Sequence, residues 1–515
     1  MKTVNFRLVL LMLSQISFSQ TTEFDGYALY NKQGQNTAYL IDKDGDIAHT
    51  WNCSLPCNYS VLLKDDGNII RGTVHNSNEL GGAAEAGRVQ EIDSEGNVVW
   101  DFIYSDQTHL SHHDITLVNN NVLLTAWEVV SQVDLTQAGY DGASSEKWPT
   151  HFVEVAHDGN GGGEIVWEWH LMDHLIQDHD SSKDNYGIVA DHPELFDINM
   201  IETSGGGPGG GGPGGGNQGG DWFHVNGVDY NADLDQIAFS SRHTSEVYII
   251  DHSTSSSEAA SHAGGNAGMG GDLLYRWGNP SKYDAPGAQQ IPSAVHDVRW
   301  IANDGRPNAG FLQFYNNSGA GNTSTVDAIE TPLNDYNYEL VEGQAYGPST
   351  YSWRHVCEGY SSGQSSQDRM SNGNVFVNMS GGQGGSGYMY EVDSLGNVVW
   401  LYNAGGTEKA FRYECKNPGI VALLGDDSCE ENNTSISEEF PSSFVLAPNP
   451  SSGIFEVISE LSQLKELRII NSFGQLIKEQ TNPRVDLSNH PNGLYFVEII
   501  NQEGNLKLKS ISLRK

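Results

Sequence analysis

Three histidines stand at the same phase of three similar strands in this 515-residue chain. They are His113 in His112-His113-Asp114-Ile115, His224 in Asp221-Trp-Phe-His-Val-Asn226, and His296 in Val295-His-Asp-Val298. Imidazole changes charge near neutral pH. Several brought together can serve as nucleophile, general acid–base or cation for an oxyanion. A single such histidine is better read as a turn cap; three in register favour function. Arg242-His243 follows the next strand of the His224 unit, and His75 follows a comparable strand of an earlier unit. A guanidinium at such a mouth offers a planar fork to sulfate or carboxylate.

Other candidate groups carry less. His170 and His174 are spaced i, i+4 on an expected short helix, 169–177, with Asp173 between them. One face of such a helix can present two metal ligands. No glutamate completes a protease motif, and the favoured reading is a solvated insertion with no metal and no cofactor. Asp42-x-Asp44-Gly-Asp46 resembles a calcium loop but lacks its closing glutamate, and reads as a turn. Five cysteines suggest two local disulfides, Cys53–Cys57 and Cys415–Cys429, with Cys357 free or buried; zinc at Cys53-x3-Cys57 is the rival reading.

The elements that must position these groups are hairpins. Tyr39 to Trp51, Val89 to Trp100, Phe152 to Trp167, Val247 to Trp277 and Tyr390 to Trp400 each run out, turn through Asp-x-x-Gly or an enlarged loop, and return to a tryptophan. A second hairpin alternates with the first at 61–70, 115–124 and 368–377. Asp-Gly, Asn-Gly and Asn-Asn between alternating apolar residues are strong hairpin turns. Two hairpins make a four-stranded blade, so the expectation is an all-β chain with a roughly six-bladed β-propeller over 21–435. The tract 204–220, almost pure Gly and Pro, reads as a linker inserted in it. Residues 442–515 leave the repeat and suit a small C-terminal β-sandwich.

Composition sets the compartment. Lys2 and Arg7 precede a short apolar run, 8–13, which reads as a cleavable signal over 1–20 and not a membrane span. The formal net charge of −39, from 27 basic and 66 acidic residues, argues against nucleic-acid or anionic-membrane partners. An anionic substrate then needs a local cluster of Arg or His.

Two resemblances follow from particular residues. Ala447-Pro448-Asn449-Pro450, Ile470-Asn-Ser-Phe-Gly474, Asn492-Gly-Leu-Tyr-Phe-Val497 and the lysine-bearing end resemble the type A sorting domain of the Bacteroidetes type IX secretion system. That resemblance implies the type IX machinery as partner and export to the surface or beyond. Asp221-Trp-Phe-His-Val-Asn226, Ser240-Ser-Arg-His243, Ile249-Ile-Asp-His-Ser-Thr254, Gly271-Asp-Leu-Leu-Tyr-Arg-Trp-Gly-Asn-Pro280 and His296-Asp297 resemble the arylsulfotransferase family over about 25–430. The resemblance implies ping-pong transfer of a sulfuryl group between an aryl sulfate and a phenol through a histidine. His224 and His296 match the channel histidines of that family. The late covalent histidine falls to His355. The chain departs from the pattern at 321–326, which holds no arginine, so Arg242 and Arg354 stand as substitutes. The expected site is therefore His224, His296, His355 and His113, with Arg242, His243, Arg354 and His75 for the substrate. A non-catalytic binding propeller and a polysaccharide lyase are the rival readings.

Overall fold

The computed structural model describes residues 23–201, 220–287, 289–381, 387–426, 428–429, 444–459, 464–471, 475–501 and 506–515. The expected signal segment and nearly all of the Gly/Pro tract lie outside the described residues.

Six four-stranded antiparallel sheets fill residues 26–414. Five have their strands in chain order, beginning with the inner strands Cys57–Leu63, His109–Val118, Val225–Asn231, Val295–Trp300 and Ser366–Arg369. The remaining sheet takes its three outer strands from the start of the chain and its inner strand, Ala410–Glu414, from the end. Tyr27 there pairs with Tyr413, and Leu29 with Phe411. Successive inner strands touch around a closed ring, with 410–414 meeting both 366–369 and 57–63. The fold is an all-β propeller.

The repeated tryptophans explain how the sheets stay together. Trp100 Nε1 donates to Gly162 O of the next sheet (2.8 Å), Trp167 Nε1 to Thr254 Oγ1 (3.2 Å), and Trp400 Nε1 to Lys43 O of the first sheet (2.5 Å). Each ring is buried. A large apolar body with one donor suits a seam between sheets. The Asp-x-x-Gly turns are equally regular. Asp42 Oδ1 accepts from the Asp44 and Asp46 amides, and Asp393 Oδ1 does the same for Leu395 and Asn397. The Asp42 carboxylate thus serves its own turn. Gly45 and Gly396, at φ +84° and +79°, take the left-handed position the turn requires.

The region 302–350, which lacks hairpin punctuation in sequence, holds two five-residue strands followed by an insertion. Leu312–Asn316 and Thr325–Ile329 belong to the fifth sheet. Its fourth strand, Trp353–Val356, arrives only after a two-stranded excursion at Leu333–Tyr338. Residues 444–513 form two further sheets of three and four strands around a core that includes Phe455, Leu467, Val497 and Ile511.

Two expectations are corrected. Residues 169–177 form no α-helix: the strand Gly163–His170 ends there, and a 3₁₀ turn, Leu171–Asp173, follows. His170 and His174 therefore do not share a helical face. Cys53 and Cys57 are both free and buried. They lie on either side of the connection between two sheets. Their thiols turn to different carbonyls, Cys53 to Trp51 O (3.7 Å) and Cys57 to Lys32 O (2.7 Å). The Cys415–Cys429 disulfide is present, and Cys357 is buried and free. Among the described residues no helix is long and apolar enough to cross a membrane.

Candidate active site at the histidine mouth

Bulges build the site. Four inner strands break register near their N-terminal ends: between Cys57 and Val61, Ser111 and Ile115, Val225 and Gly227, and His296 and Arg299. A bulge turns a side chain out of the alternation of its strand and commonly does so beside active sites. His113, His224 and Asp297 have φ of +50°, +57° and +53°. Non-glycine residues in this region are uncommon and carry strain that the surroundings must hold.

The result is a cluster of imidazoles at the ring's axis. The His113 and His224 rings are 4.5 Å apart, and His224 and His243 are 4.9 Å apart. Tyr59 meets the His113 ring edge-on at 5.7 Å. His112 stacks on Trp127 at 4.1 Å, and its Nδ1 lies 2.7 Å from Nδ1 of His113. The Nε2 atoms of His112 and His113 are buried without a partner. Such atoms call for a hydrogen-bonding guest.

Partners that only accept fix the protons. Asp221 accepts from Nδ1 of His224 at 2.5 Å, and also from Trp127 Nε1 at 3.1 Å. Burial pushes the Asp221 carboxyl up, but the His224 charge and hydrogen bond outweigh it and hold the group at about 2. His296 Nδ1 donates to Ala294 O (2.8 Å) and Asn317 Oδ1 (2.7 Å). Asn317 is itself fixed, since its amide donates to Ser361 O and Gln364 O. Nε2 of His296 thus carries the lone pair. Burial, and then the Arg242 charge, hold His296 well below the ordinary histidine range, so it is neutral. Burial, helped by the His224 charge, holds His113 well below that range too, and burial lowers His243.

Arg242 gives one hydrogen bond, to Ser362 O (3.2 Å), and has no carboxylate within ion-pair distance among the described residues. Burial lowers its pKa. An uncompensated guanidinium beside neutral imidazoles is an anion holder.

Next to the histidines along the same inner strands lies a buried ion triad. Lys409 Nζ lies 2.6 Å from Asp114 Oδ2 and 2.9 Å from Asp297 Oδ1. Asp114 also accepts from Ser60 and from the Val228 amide, and Asp297 from the Gln367 amide. Five strands are tied at one level.

The sequence-expected residues divide cleanly. His113, His224, His296, Arg242 and His243 are brought together. Arg354 and His355 are not: they sit on Trp353–Val356, the outermost strand of the fifth sheet. Arg354 is spent on Asp327, through Nε at 2.6 Å and Nη2 at 2.7 Å, and His355 Nε2 meets Tyr390 OH at 3.0 Å. His75 lies past Ile69–Val74 and has no ring contact with the cluster among those described. Asp221, Asn317, Lys409 and Tyr59 were not anticipated. The repeated His-Asp of 113–114 and 296–297 was the available signal for the triad.

Comparisons with known proteins follow this geometry. The family model "Arylsulfotransferase (ASST)" matches residues 10–387, and "Secretion system C-terminal sorting domain" matches 445–512. No curated protein matches the chain in sequence. Among solved structures, a protein of unknown function from Bacteroides caccae aligns at 12% identity and TM-score 0.39, over 75% of this chain and 98% of that one. The β-propeller domain of Cps50 (Swd1) from Myceliophteria thermophila aligns at 6% identity and TM-score 0.36, over 77% and 95%. The tail carries the protein to the cell surface or outside the cell.

Proposed function

Because the chain belongs to the arylsulfotransferase family, we propose that it moves a sulfuryl group from an aryl sulfate to a phenolic acceptor at the histidine mouth. The observation that carries this reading is the pairing of a neutral, tautomer-fixed His296 with an Arg242 that has no carboxylate partner.

Each residue takes a role from its surroundings. Nε2 of His296 attacks sulfur as the bond from sulfur to the aryl oxygen breaks. Arg242 holds the sulfuryl oxygens through attack and departure. A proton on Nε2 of His224 passes to the leaving phenolate oxygen, and Asp221 stabilises the imidazolium before that transfer. In the second half-reaction His224 accepts the proton of the incoming phenol. The phenol oxygen attacks sulfur and the S–Nε2 bond breaks, restoring His296. The partnerless Nε2 of His113 faces the same space as a hydrogen-bonding wall, with Tyr59 and His243 beside it. This reading moves the covalent role from His355 to His296, and the anion role to Arg242 alone. The type IX machinery is the partner in export, and removal of 442–515 after passage is part of the same proposal.

The test is 4-nitrophenyl sulfate with and without phenol. Phenol-dependent release of nitrophenol, with a sulfuryl group on the His296 peptide when acceptor is withheld, is the expected result. Label on another histidine, or release indifferent to phenol, would sink the assignment.

A further inference from the structure

Away from the channel, three side chains from two sheets converge. His174 follows the 3₁₀ turn after the third sheet's outer strand. His262 stands in the long loop of the fourth sheet, and Asp272 directly precedes its outer strand Leu273–Trp277. Nδ1 of His174 and Nδ1 of His262 each lie 2.8 Å from the same atom, Asp272 Oδ1. The three donor atoms are all within 4.8 Å of one another.

Proton placement decides what this means. The other nitrogen of His174, Nε2, lies 2.8 Å from Ala259 O. A carbonyl only accepts, so Nε2 carries the hydrogen. Neutral His174 then turns a lone pair, not a proton, toward the Asp272 carboxylate. Two acceptors facing each other at that distance need either a second proton on the ring or a cation between them. The ring's setting is that of a metal ligand. Histidines that bind metal donate their remaining N–H to a backbone carbonyl or carboxylate, which fixes tautomer and orientation. His174 is fully buried and stacked on Trp169 at 5.3 Å with 6° between the planes. Trp169 Nε1 is itself tied to Gly271 O at 2.7 Å. Gly271 leaves the room: a Cβ there would come within 2.6 Å of His174 Nε2. His262 is largely exposed and opens the cluster to solvent.

We propose that His174, His262 and Asp272 bind a divalent cation of the zinc class, with a water in the remaining position. Two imidazoles and a carboxylate suit Zn²⁺, and three protein ligands with one open position is an established arrangement for it. The ion joins the turn behind the third sheet to the loop of the fourth, across the seam that Trp167 also bridges. The sequence pairing of His170 with His174 is thereby replaced. His170 instead meets Glu128 at 3.0 Å.

The test uses the full chain, dialysed and then titrated with Zn²⁺, with Co²⁺ as a spectroscopic probe. The expected result is one ion per chain, visible Co²⁺ absorption, and a melting temperature that rises with Zn²⁺ and falls with chelator. His262→Ala, at an exposed position, should fold normally and weaken binding by about 100-fold or more. Asp272→Asn, close in shape, should do the same. A wild-type chain that takes up no stoichiometric metal would overturn the proposal and leave a protonated His174 paired with Asp272. Unchanged zinc binding in both variants would overturn it equally.

Discussion

At the histidine end of the channel, Arg242 offers its guanidinium to a single carbonyl. At the other end, past the Lys409 triad, two arginines of the inner strands stand against carboxylates, while Arg369 gives its guanidinium to Gln313 Oε1. Arg299 meets Asp368 at 3.3 Å and lies 4.0 Å above the Phe411 ring, and Arg412 approaches Glu391 at 3.7 Å. That end also holds a cavity of about 220 Å³, lined by residues that include Leu62, Thr116, Arg299, Asp368 and Tyr413. Among the described residues, Arg299 and Arg412 have a carboxylate within 4 Å, and Arg242 has none. The inner strands differ to match. They are bulged at the histidine end, whereas register is continuous along Ala28↔Arg412 and Asp368↔Phe376. The bulges turn the imidazoles toward one another, and turn Asp114 and Asp297 toward Lys409.

Replacing the nucleophile breaks the comparison most severely. His296→Ala should lower kcat by about 10⁴-fold or more, as loss of a covalent catalyst does. The matching change on the outer strand, His355→Ala, should leave kcat within about threefold. Stopped assays with nitrophenyl sulfate check both.

Arginines at the two ends should then part company. Arg242→Ala should cost about 10²- to 10³-fold in kcat/KM, the range for loss of one preorganised oxyanion donor. Arg299→Met should spare turnover and lower stability by about 1–3 kcal/mol, because half-buried Asp368 loses its cation and keeps only the Arg412 amide. Paired kinetics and thermal melts decide this. Equal kinetic losses would mean that both ends hold anion.

Acid should act through burial. His355 is held at about 4 by burial, against about 6.5 in the unfolded chain. Between those values the unfolded chain binds a proton that the folded one refuses. Stability therefore rises with pH through this window and is lost as pH falls. The group accounts for about 3 kcal/mol at full extent. His112, His113 and His296 shift the same way. Denaturant melts from pH 7 to 4 should show the loss, and His355→Gln should flatten part of it.

The mildest test makes one end resemble the other. Ser362→Asp sets a carboxylate beside Arg242, and should raise KM for the aryl sulfate about tenfold while leaving the melting temperature in place.

The sequence carries hairpin turns, seam tryptophans and three phased histidines plainly, because each depends on neighbours a few residues away. Arg242 was readable for the same reason, lying just beyond the His224 hairpin. Lys409 was not, since its partners Asp114 and Asp297 are 295 and 112 residues away. His355 stands apart from the cluster because a twenty-residue-scale excursion at 330–352 parts its strand from the hairpin that sets phase. Cys53 and Cys57 misled because nearness along the chain says nothing about where thiols aim. The pairing of His170 with His174 assumed a helical period that a strand end does not keep.

Ala410–Glu414 supplies the first sheet's inner strand, and Lys409 immediately precedes it. A chain emerging from its N-terminus can form five sheets in turn, yet the ring stays open until this late segment docks. The triad forms in that same step, because its lysine arrives with the closing strand. A chain ending before residue 409 therefore keeps five sheets but lacks both the strand that closes the ring and the lysine of the triad.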